Sequence, residues 1–340
     1  MESLKKFLII GIAALSFAVT DSWAQTLTSF VSVTGGTLPT WTSFGNQVVS
    51  NFKLGTKEVS VSEWNAVKAF ALTKGYDISS SEPSGTGDNY PIEDLNWYDA
   101  VKWCNAKTMY NNTNNSTSFT PVYTTTTNVS EITRNGTIAT AVTYSPHTLV
   151  TGDFVTISNA SQSGYNLTNA AVTYVSEYSF TYVVSNATAT PATPVSGSVI
   201  AATIPYKRGD LIPTSNALNT GFRLPTEIEW EWAAIGGTSG SGTQKTYAGS
   251  NDGNAVAWTR NNSPTSSQAI GTKTANEILI YDLSGNVYEW CFDAAESLNS
   301  RRVRGGGWVS AVESSATLNR GYRRPDIREA GFGFRLAQKP

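Results

Sequence analysis

Three turn-rich segments in the C-terminal part of the chain constrain the fold most. They are residues 221–227 (GFRLPTE), 281–290 (YDLSGNVYEW) and 304–308 (RGGGW), and a closing GFRL follows at 333–336. Each segment places charged side chains close to an aromatic residue, and such a density of glycine and turn residues disfavours long strands. We therefore expect a loop-heavy domain whose loops are held by tryptophan packing, ion pairs or a metal. The segments together form either an active site or a binding surface.

The composition is that of a globular protein and excludes some classes of function. The 340 residues include ten Trp, fifteen Tyr and thirteen Phe, which are large anchors for a core. The formal net charge is only −2, so the protein as a whole is not built to bind nucleic acid. A single histidine, His147, excludes a site that needs several imidazoles. The two cysteines, Cys104 and Cys291, form either one disulfide or two buried thiols, and their spacing does not decide between these alternatives.

Residues 1–24 have the pattern of a signal peptide. Two lysines precede an apolar run over 7–19, and small residues around Ala24 offer a cleavage site. A membrane anchor is disfavoured, because a span needs ~20 apolar residues and Asp21 interrupts the run early. We predict an exported protein, secreted or held at the cell surface, with no membrane span after removal of the signal.

Capping residues predict three helices. The first covers 62–74 and is capped by its opening serine. The second follows Asn96 and places Cys104 on its apolar stripe, which favours a core role for this thiol over a reactive one. The third begins at a capping box formed by Thr226 and Glu229.

The amino-acid composition changes between residues 129 and 204, where Thr, Val, Ala, Ser and Tyr dominate and charged residues are few. Its β-type runs, which turn signals separate, cover 154–157, 171–175 and 179–184. We predict a small all-β module, here called the insert, which interrupts a domain formed by 25–128 and 205–340. Such insertions are tolerated because the entropy cost of loop closure grows slowly with loop length.

Two more stretches, 57–60 (KEVS) and 99–104 (DAVKWC), complete a recognisable set with the segments described above. In this order the motifs resemble the formylglycine-generating enzyme, or sulfatase-modifying factor, family. The resemblance covers 50–123 and 205–340, on either side of the insert. It implies an α+β, C-type-lectin-like fold with two helices, short irregular strands and many loops.

The oxidase chemistry of that family is not expected here. According to the resemblance, the true oxidase binds copper through two cysteines five residues apart, between the glycine–tryptophan turn and the final GFR. In this chain the interval contains no cysteine, and spacing from Trp308 puts the two places at Ser315 and Arg320. A hydroxyl is a poor ligand for a soft metal, and a guanidinium cannot deprotonate to become one. We expect neither copper nor iron, because the related iron enzymes need a histidine cluster that His147 alone cannot supply.

The resemblance also implies a calcium site. Carried over to this chain, its ligands are the side chain of Asp282, the carbonyl oxygens of Gly285 and Val287, and the side chain of Glu289. Such a mixture of carboxylate and carbonyl oxygens at a tight turn suits Ca²⁺, whose role here would be to hold loops together. In the alternative interpretation, Asp282 caps the turn and Glu289 pairs with a buried arginine, Arg223 or Arg335.

Residues 309–332, here called the C-terminal segment, resemble the variable proteins of diversity-generating retroelements, which share this lectin-like fold. There, a scaffold near the C-terminus displays side chains that bind a ligand. Regular points such as Trp308, Pro325 and Arg328 alternate with chemically mixed residues that follow no helical or strand period. The candidate ligand-binding residues are Val309, Ser310, Val312, Glu313, Tyr322, Arg323, Arg324 and Ile327. Tyrosine and arginine are favoured anchors in binding sites, so Tyr322, Arg323 and Arg324 are the strongest of these candidates.

Residues 301–335 contain eight arginines against three acidic residues, so this part of the chain is locally basic. Arginine forks hold loops together through bidentate bonds to carboxylates. We interpret four arginines as structural partners of glutamates: Arg223, Arg304, Arg320 and Arg335, with Glu227, Glu229 and Glu289.

These patterns favour a secreted, non-catalytic binding or display protein, whose partner is a protein or a glycan at a cell or phage surface. One alternative is an oxidoreductase of the same family with altered chemistry. Another is an extracellular structural component that self-assembles through its lectin-like domain.

Overall fold

The computed structural model of the protein describes residues 28–79, 87–185, 190–216, 218–296 and 299–340. The predicted signal peptide lies outside the described residues. No helix in these ranges is both long enough and apolar enough to cross a membrane.

The elements of the described residues are short apart from two helices and one long strand. The α-helices are α1 (Val61–Thr73), α2 (Trp97–Asn114), α3 (Glu227–Ala234), α4 (Gly237–Gly240) and α5 (Gly253–Val256). The first strands are β1 (Phe30–Val33), β2 (Gly36–Thr37), β3 (Val48–Val49) and β4 (Phe52–Gly55). Those of the middle region are β5 (Tyr123–Asn135), β6 (Ile138–Thr143), β7 (Phe154–Ser158), β8 (Ala170–Ser176), β9 (Ser179–Val183), β10 (Ala201–Pro205) and β11 (Thr214–Ser215). The last are β12 (Tyr288–Ala294), β13 (Arg301–Arg304), β14 (Gly321–Arg323), β15 (Phe332–Gly333) and β16 (Ala337–Gln338).

Side-chain capping sets the start of each main helix. Asn96 accepts a hydrogen bond from Asp99 N–H at 2.8 Å and caps α2, and the predicted capping box opens α3. The predicted cap of α1 is wrong by two residues. Ser60, not Ser62, accepts from Glu63 N–H, at 3.2 Å, because the chain is still extended at Ser60 and already helical at Ser62.

Aromatic packing between α1 and α2 forms the main core. The rings of Trp64 and Trp103 stack with centroids 5.7 Å apart, and Phe334 meets Trp103 edge-on. Cys104 is fully buried in this core, whereas Cys291 lies in a second cluster around α3, and both are free thiols. Burial raises the pKa of both thiols well above the ordinary value, so neither is a poised nucleophile.

One four-stranded sheet, with strand order β14-β13-β12-β15, brings the sequence segments together. Glu289 of β12 lies opposite Arg304 of β13 and opposite Gly333 of β15. Segments far apart in sequence therefore become neighbouring strands. This mixed architecture is the predicted α+β class.

The insert forms a closed β structure with its own core. Strands β5 to β10 are all antiparallel, and β10 pairs with both β7 and β5, so the six strands close on themselves. Closure removes exposed sheet edges. The three predicted β-runs lie in β7, β8 and β9, whose inward side chains such as Phe180 and Tyr182 are buried. The predicted boundary between 128 and 129 falls inside β5, which runs from the main domain into the insert.

A buried ion pair joins the insert to the main domain. Lys207, just after β10, lies 2.5 Å from Asp153 in the insert, and the two side chains are almost completely buried. Lys207 also donates to the carbonyl of Lys74, the C-cap of α1, at 3.1 Å. Since a buried charge without its partner is costly, these contacts hold the insert against the end of α1.

Candidate functional site

Arginine–glutamate pairs hold the turn-rich segments in place, as the ion-pair interpretation predicted. Arg223 of the first segment forms two bonds with Glu229 of α3, at 2.6 and 2.7 Å. Arg335, from the closing GFRL, forms a two-pronged pair with Glu289 of the second segment. The side chains of this second pair are fully buried.

Glu227 is the centre of a larger charge cluster. Arg320 binds it through two nitrogens, at 2.7 and 2.8 Å, and Arg304 lies at 3.2 Å and also binds Glu231 at 2.8 Å. Burial alone would raise the pKa of Glu227, but the hydrogen bond from Arg320 and the charge of Arg304 outweigh it, so the net pKa lies below its ordinary value. Glu227 is therefore an ionised structural anchor at neutral pH.

The two places where the resembling oxidases hold cysteines are occupied by structural side chains. Ser315 is fully buried, and its hydroxyl has no hydrogen-bond partner. Ser315 packs closely against Gly306. A β-carbon on that glycine would lie 2.4 Å from the Ser315 hydroxyl oxygen and 2.8 Å from its α-carbon. Arg320 is held by Glu227. These residues supply neither a thiolate nor any other soft metal ligand.

The residues predicted to bind calcium do not fit that ion in this arrangement. Both carboxylate oxygens of Glu289 accept from Arg335, and one also accepts from the indole of Trp230 at 2.8 Å. The alternative pairing with Arg335 is the one observed. Among the residues that the structure describes, no group of three His, Cys, Asp or Glu side chains is arranged to hold a metal ion.

Asp282 leaves one carboxylate oxygen without a partner. Its Oδ2 accepts from Gly271 N–H at 2.6 Å, in another loop, whereas its buried Oδ1 has no hydrogen-bond partner. Burial raises the pKa of Asp282 to about 6. The predicted set thus retains one carboxylate oxygen of Asp282 and the carbonyl oxygens of Gly285 and Val287, fewer than the six to eight ligands that Ca²⁺ takes.

A single buried carboxylate that the sequence analysis missed anchors both ends of the C-terminal segment. Glu93 accepts from the indole N–H of Trp308 at 3.0 Å and also from Gly331 N–H. It lies more than 200 residues upstream of both, and no local pattern marks it. The segment thus leaves and rejoins the main core at the same point.

The middle of the C-terminal segment is anchored at its regular points. The carbonyl of Pro325 accepts from Trp97 N–H at 3.0 Å, at the start of α2. Arg328 pairs with Asp99, which is buried in the first turn of the same helix. Each regular point that the sequence singled out is therefore tied to a buried element.

The candidate ligand-binding residues lie between these anchors and reach solvent. Tyr322 is 56% exposed, and Ile327, Glu313, Arg323 and Arg324 are also exposed. Val309, Ser310 and Val312 are partly buried.

The structure divides these candidates between two adjoining stretches. Ser310 lies against Arg260, which donates its N–H to the carbonyl of Ser310 at 2.9 Å, whereas Tyr322 and Arg323 lie on β14. Gly331 meets the side chain of Val309 and so brings the end of the segment beside its start.

The exposed arginines of the segment are already neutralised. Arg323 binds Glu329 at 3.1 Å and covers the ring of Phe332, and Arg324 binds Asp326 at 2.6 Å. Seven of the eight arginines of 301–335 thus pair with a carboxylate, and the remaining one, Arg301, donates to the carbonyl of Phe292. Beside Arg323 on β14, Tyr322 presents a large, uncharged and exposed side chain.

Comparison with known proteins adds the family and the fold. A family model described as the sulfatase-modifying factor enzyme 1-like domain matches residues 16–340. The chain is 26% identical over 334 residues to the chaperone protein LppX of Paenibacillus barcinonensis, across 91% of this chain and 88% of that protein.

Two solved structures are similar over most of the chain. CarF has a TM-score of 0.60 at 22% identity, over 92% of this chain and 98% of its own. Treponema denticola variable protein 1 has a TM-score of 0.55 at 23% identity, over 92% of this chain and 95% of its own. At such identities the likeness is one of fold, and it confirms the predicted lectin-like class and the similarity to a variable protein.

Proposed function

Because the chain belongs to the sulfatase-modifying factor family, we propose that it uses this scaffold for binding rather than for catalysis. The C-terminal segment is the binding face, and the protein acts outside the cell, on a protein or glycan of another surface. The chaperone name of one relative and the variable-protein name of one structural neighbour are both compatible with binding without chemistry.

The observation that carries this proposal is the alternation of anchors and displayed side chains. Trp308, Pro325, Arg328 and Gly331 are tied to buried partners, so substitutions between them leave the path of the backbone intact. The main chain of such a site is already rigid, which lowers the entropy cost of binding, while the identity of the displayed side chains can vary.

Tyr322 is the central contact of the proposed face. A tyrosine offers a large, stiff, amphipathic surface with few rotatable bonds. The exposed arginines beside it, Arg323 and Arg324, form ion pairs with Glu329 and Asp326. Binding should therefore depend more on the ring of Tyr322 than on the net charge of the partner, and it should vary little with salt.

A display library tests the proposal. Codons at the eight candidate positions are randomised in the full chain displayed on yeast, and the folded fraction is sorted with a conformation-sensitive antibody. We expect most substitutions at Tyr322, Arg323, Arg324 and Ile327 to retain folding, and selection against a model protein such as lysozyme to yield binders. A matched library at Trp308, Pro325 and Arg328 should lose the folded population.

Equal intolerance of the two libraries would remove the distinction on which the proposal rests. Stoichiometric copper or iron in the purified protein, together with oxygen consumption, would instead favour the oxidoreductase alternative. A reverse-transcriptase gene and a near-repeat of the codons for 304–337 beside the gene would strengthen the display function.

A further inference from the structure

A cleft of about 720 Å³ lies in the main domain, beside the strands that lead into and follow the insert. The strands that flank the insert contribute Tyr123 of β5 and Ser215 of β11, and other parts of the main domain contribute Arg223, Glu229 and Phe292. Small-molecule sites typically occupy about 300–1,000 Å³ and are frequent between structural units. No residue of the C-terminal segment lines this cleft.

A stacked aromatic pair lies in the apolar part of the cleft, which Leu218 and Leu224 also line. The rings of Tyr123 and Phe292 lie 5.0 Å apart at an interplanar angle of 22°. Tyr123 is fully buried and its hydroxyl accepts from Leu224 N–H at 2.9 Å, so it fixes the position of Phe292. Phe292 is only partly buried, which leaves part of its ring for a ligand.

Polar groups surround the aromatic floor. The Arg223–Glu229 pair keeps 17% and 13% of its side chains exposed, so donors and acceptors stand side by side in fixed geometry at the cleft. Asn51 and Ser215 add exposed amide and hydroxyl groups. The guanidinium of Arg223 is neutralised by Glu229, and the exposed Lys339 adds a positive charge to the lining.

We propose that this cleft binds a sugar ring, as a second site that is independent of the C-terminal segment. A pyranose presents an apolar C–H face, which packs on an aromatic ring, and a rim of hydroxyls, each of which both donates and accepts. The cleft offers Phe292 to the first and the Arg223–Glu229 pair, Asn51 and Ser215 to the second. Strand β11, which follows the insert and pairs with β5, supplies one wall of the site.

Saturation-transfer NMR on the full chain tests the proposal. The probes are the methyl glycosides of glucose, galactose, mannose, N-acetylglucosamine and glucuronic acid. We expect transfer to the ring protons of at least one of these probes. Ser215→Trp, which places a bulky ring in the cleft, is expected to abolish the transfer. Thr214→Trp is the matched control, because it adds the same ring at the next exposed residue of β11, which does not line the cleft.

Phe292→Leu separates ring stacking from general burial. It keeps an apolar side chain against Trp97 and Tyr123 but removes the aromatic face. The transfer should disappear while the melting temperature shows that the protein is still folded. Absence of transfer to all five glycosides, or transfer that persists in Ser215→Trp, would overturn the proposal. Loss of transfer in Thr214→Trp as well would also overturn it.

Discussion

The buried and the displayed ion pairs of this protein have the same chemistry and opposite roles. Arg335 and Glu289 are fully buried, whereas Arg323 and Glu329 keep 44% and 48% of their side chains exposed. Breaking a buried pair leaves an uncompensated charge and costs about 3–5 kcal/mol. An exposed pair contributes about 0–1 kcal/mol, because water screens it and two long side chains must be ordered.

The difference shows where the scaffold ends and the proposed binding face begins. Glu227, Glu289 and Glu93 each join parts of the chain that are remote in sequence, and each is buried. Arg323 and Arg324, in contrast, pair with acids within the segment itself. Selection can therefore change the displayed residues without touching the contacts that hold the fold.

Removal of the buried arginine should have the largest effect. Arg335→Met leaves Glu289 charged, buried and bound mainly to Trp230, and we expect the free energy of unfolding to fall by about 3–5 kcal/mol. Urea unfolding followed by tryptophan fluorescence measures the change. The double variant Arg335→Met/Glu289→Gln should recover part of the loss, because no unpaired charge remains. A double variant as unstable as the single one would contradict the charge argument.

Acid should weaken the same scaffold. Burial alone would raise the pKa of Glu229, but its bonds with Arg223 and Thr226 outweigh burial, so its net pKa lies below the ordinary value. The stability from this pair is complete above the unfolded-state pKa of about 4.3. It is lost as the pH falls through the lower folded-state pKa. Melting temperatures recorded against pH should show a shallower acid limb for Glu229→Gln, and an identical limb would refute this contribution.

Loss of a displayed pair should be nearly silent. Arg323→Met removes the bond to Glu329, and we expect a change in the free energy of unfolding of less than about 1 kcal/mol. Parallel urea titrations with the Arg335 variant provide the comparison. A loss as large as that of Arg335→Met would show that the C-terminal segment belongs to the scaffold.

Chelation should have the smallest effect. Since Glu289 is occupied by Arg335, we expect the melting temperature in EDTA to equal that in calcium chloride. Differential scanning calorimetry in the two buffers checks this. A lower melting temperature in EDTA would restore the calcium site that the family resemblance predicted at Asp282 and Glu289.

Sequence patterns predicted helix starts correctly where the capping contacts involve only residues close together in the chain. The capping box of α3 and the Asn96 cap of α2 depend on side chains that reach backbone groups three residues away. The cap of α1 was misplaced because Ser60 and Ser62 are both suitable residues. The choice depends on Tyr90, whose carbonyl binds Val61 N–H and holds the preceding residue outside the helix.

The sequence by itself determined the turns, the starts of α2 and α3, the β character of the insert and the absence of cysteines from the C-terminal segment. Those properties follow from backbone preferences and from residue identity. Only the tertiary structure decided that Glu289 pairs with Arg335 rather than Arg223, that Glu93 anchors Trp308 and Gly331, and that Tyr123 and Phe292 share a cleft. The physical reason is that charged and aromatic side chains choose partners by proximity and burial, and both arise only when distant parts of the chain pack together.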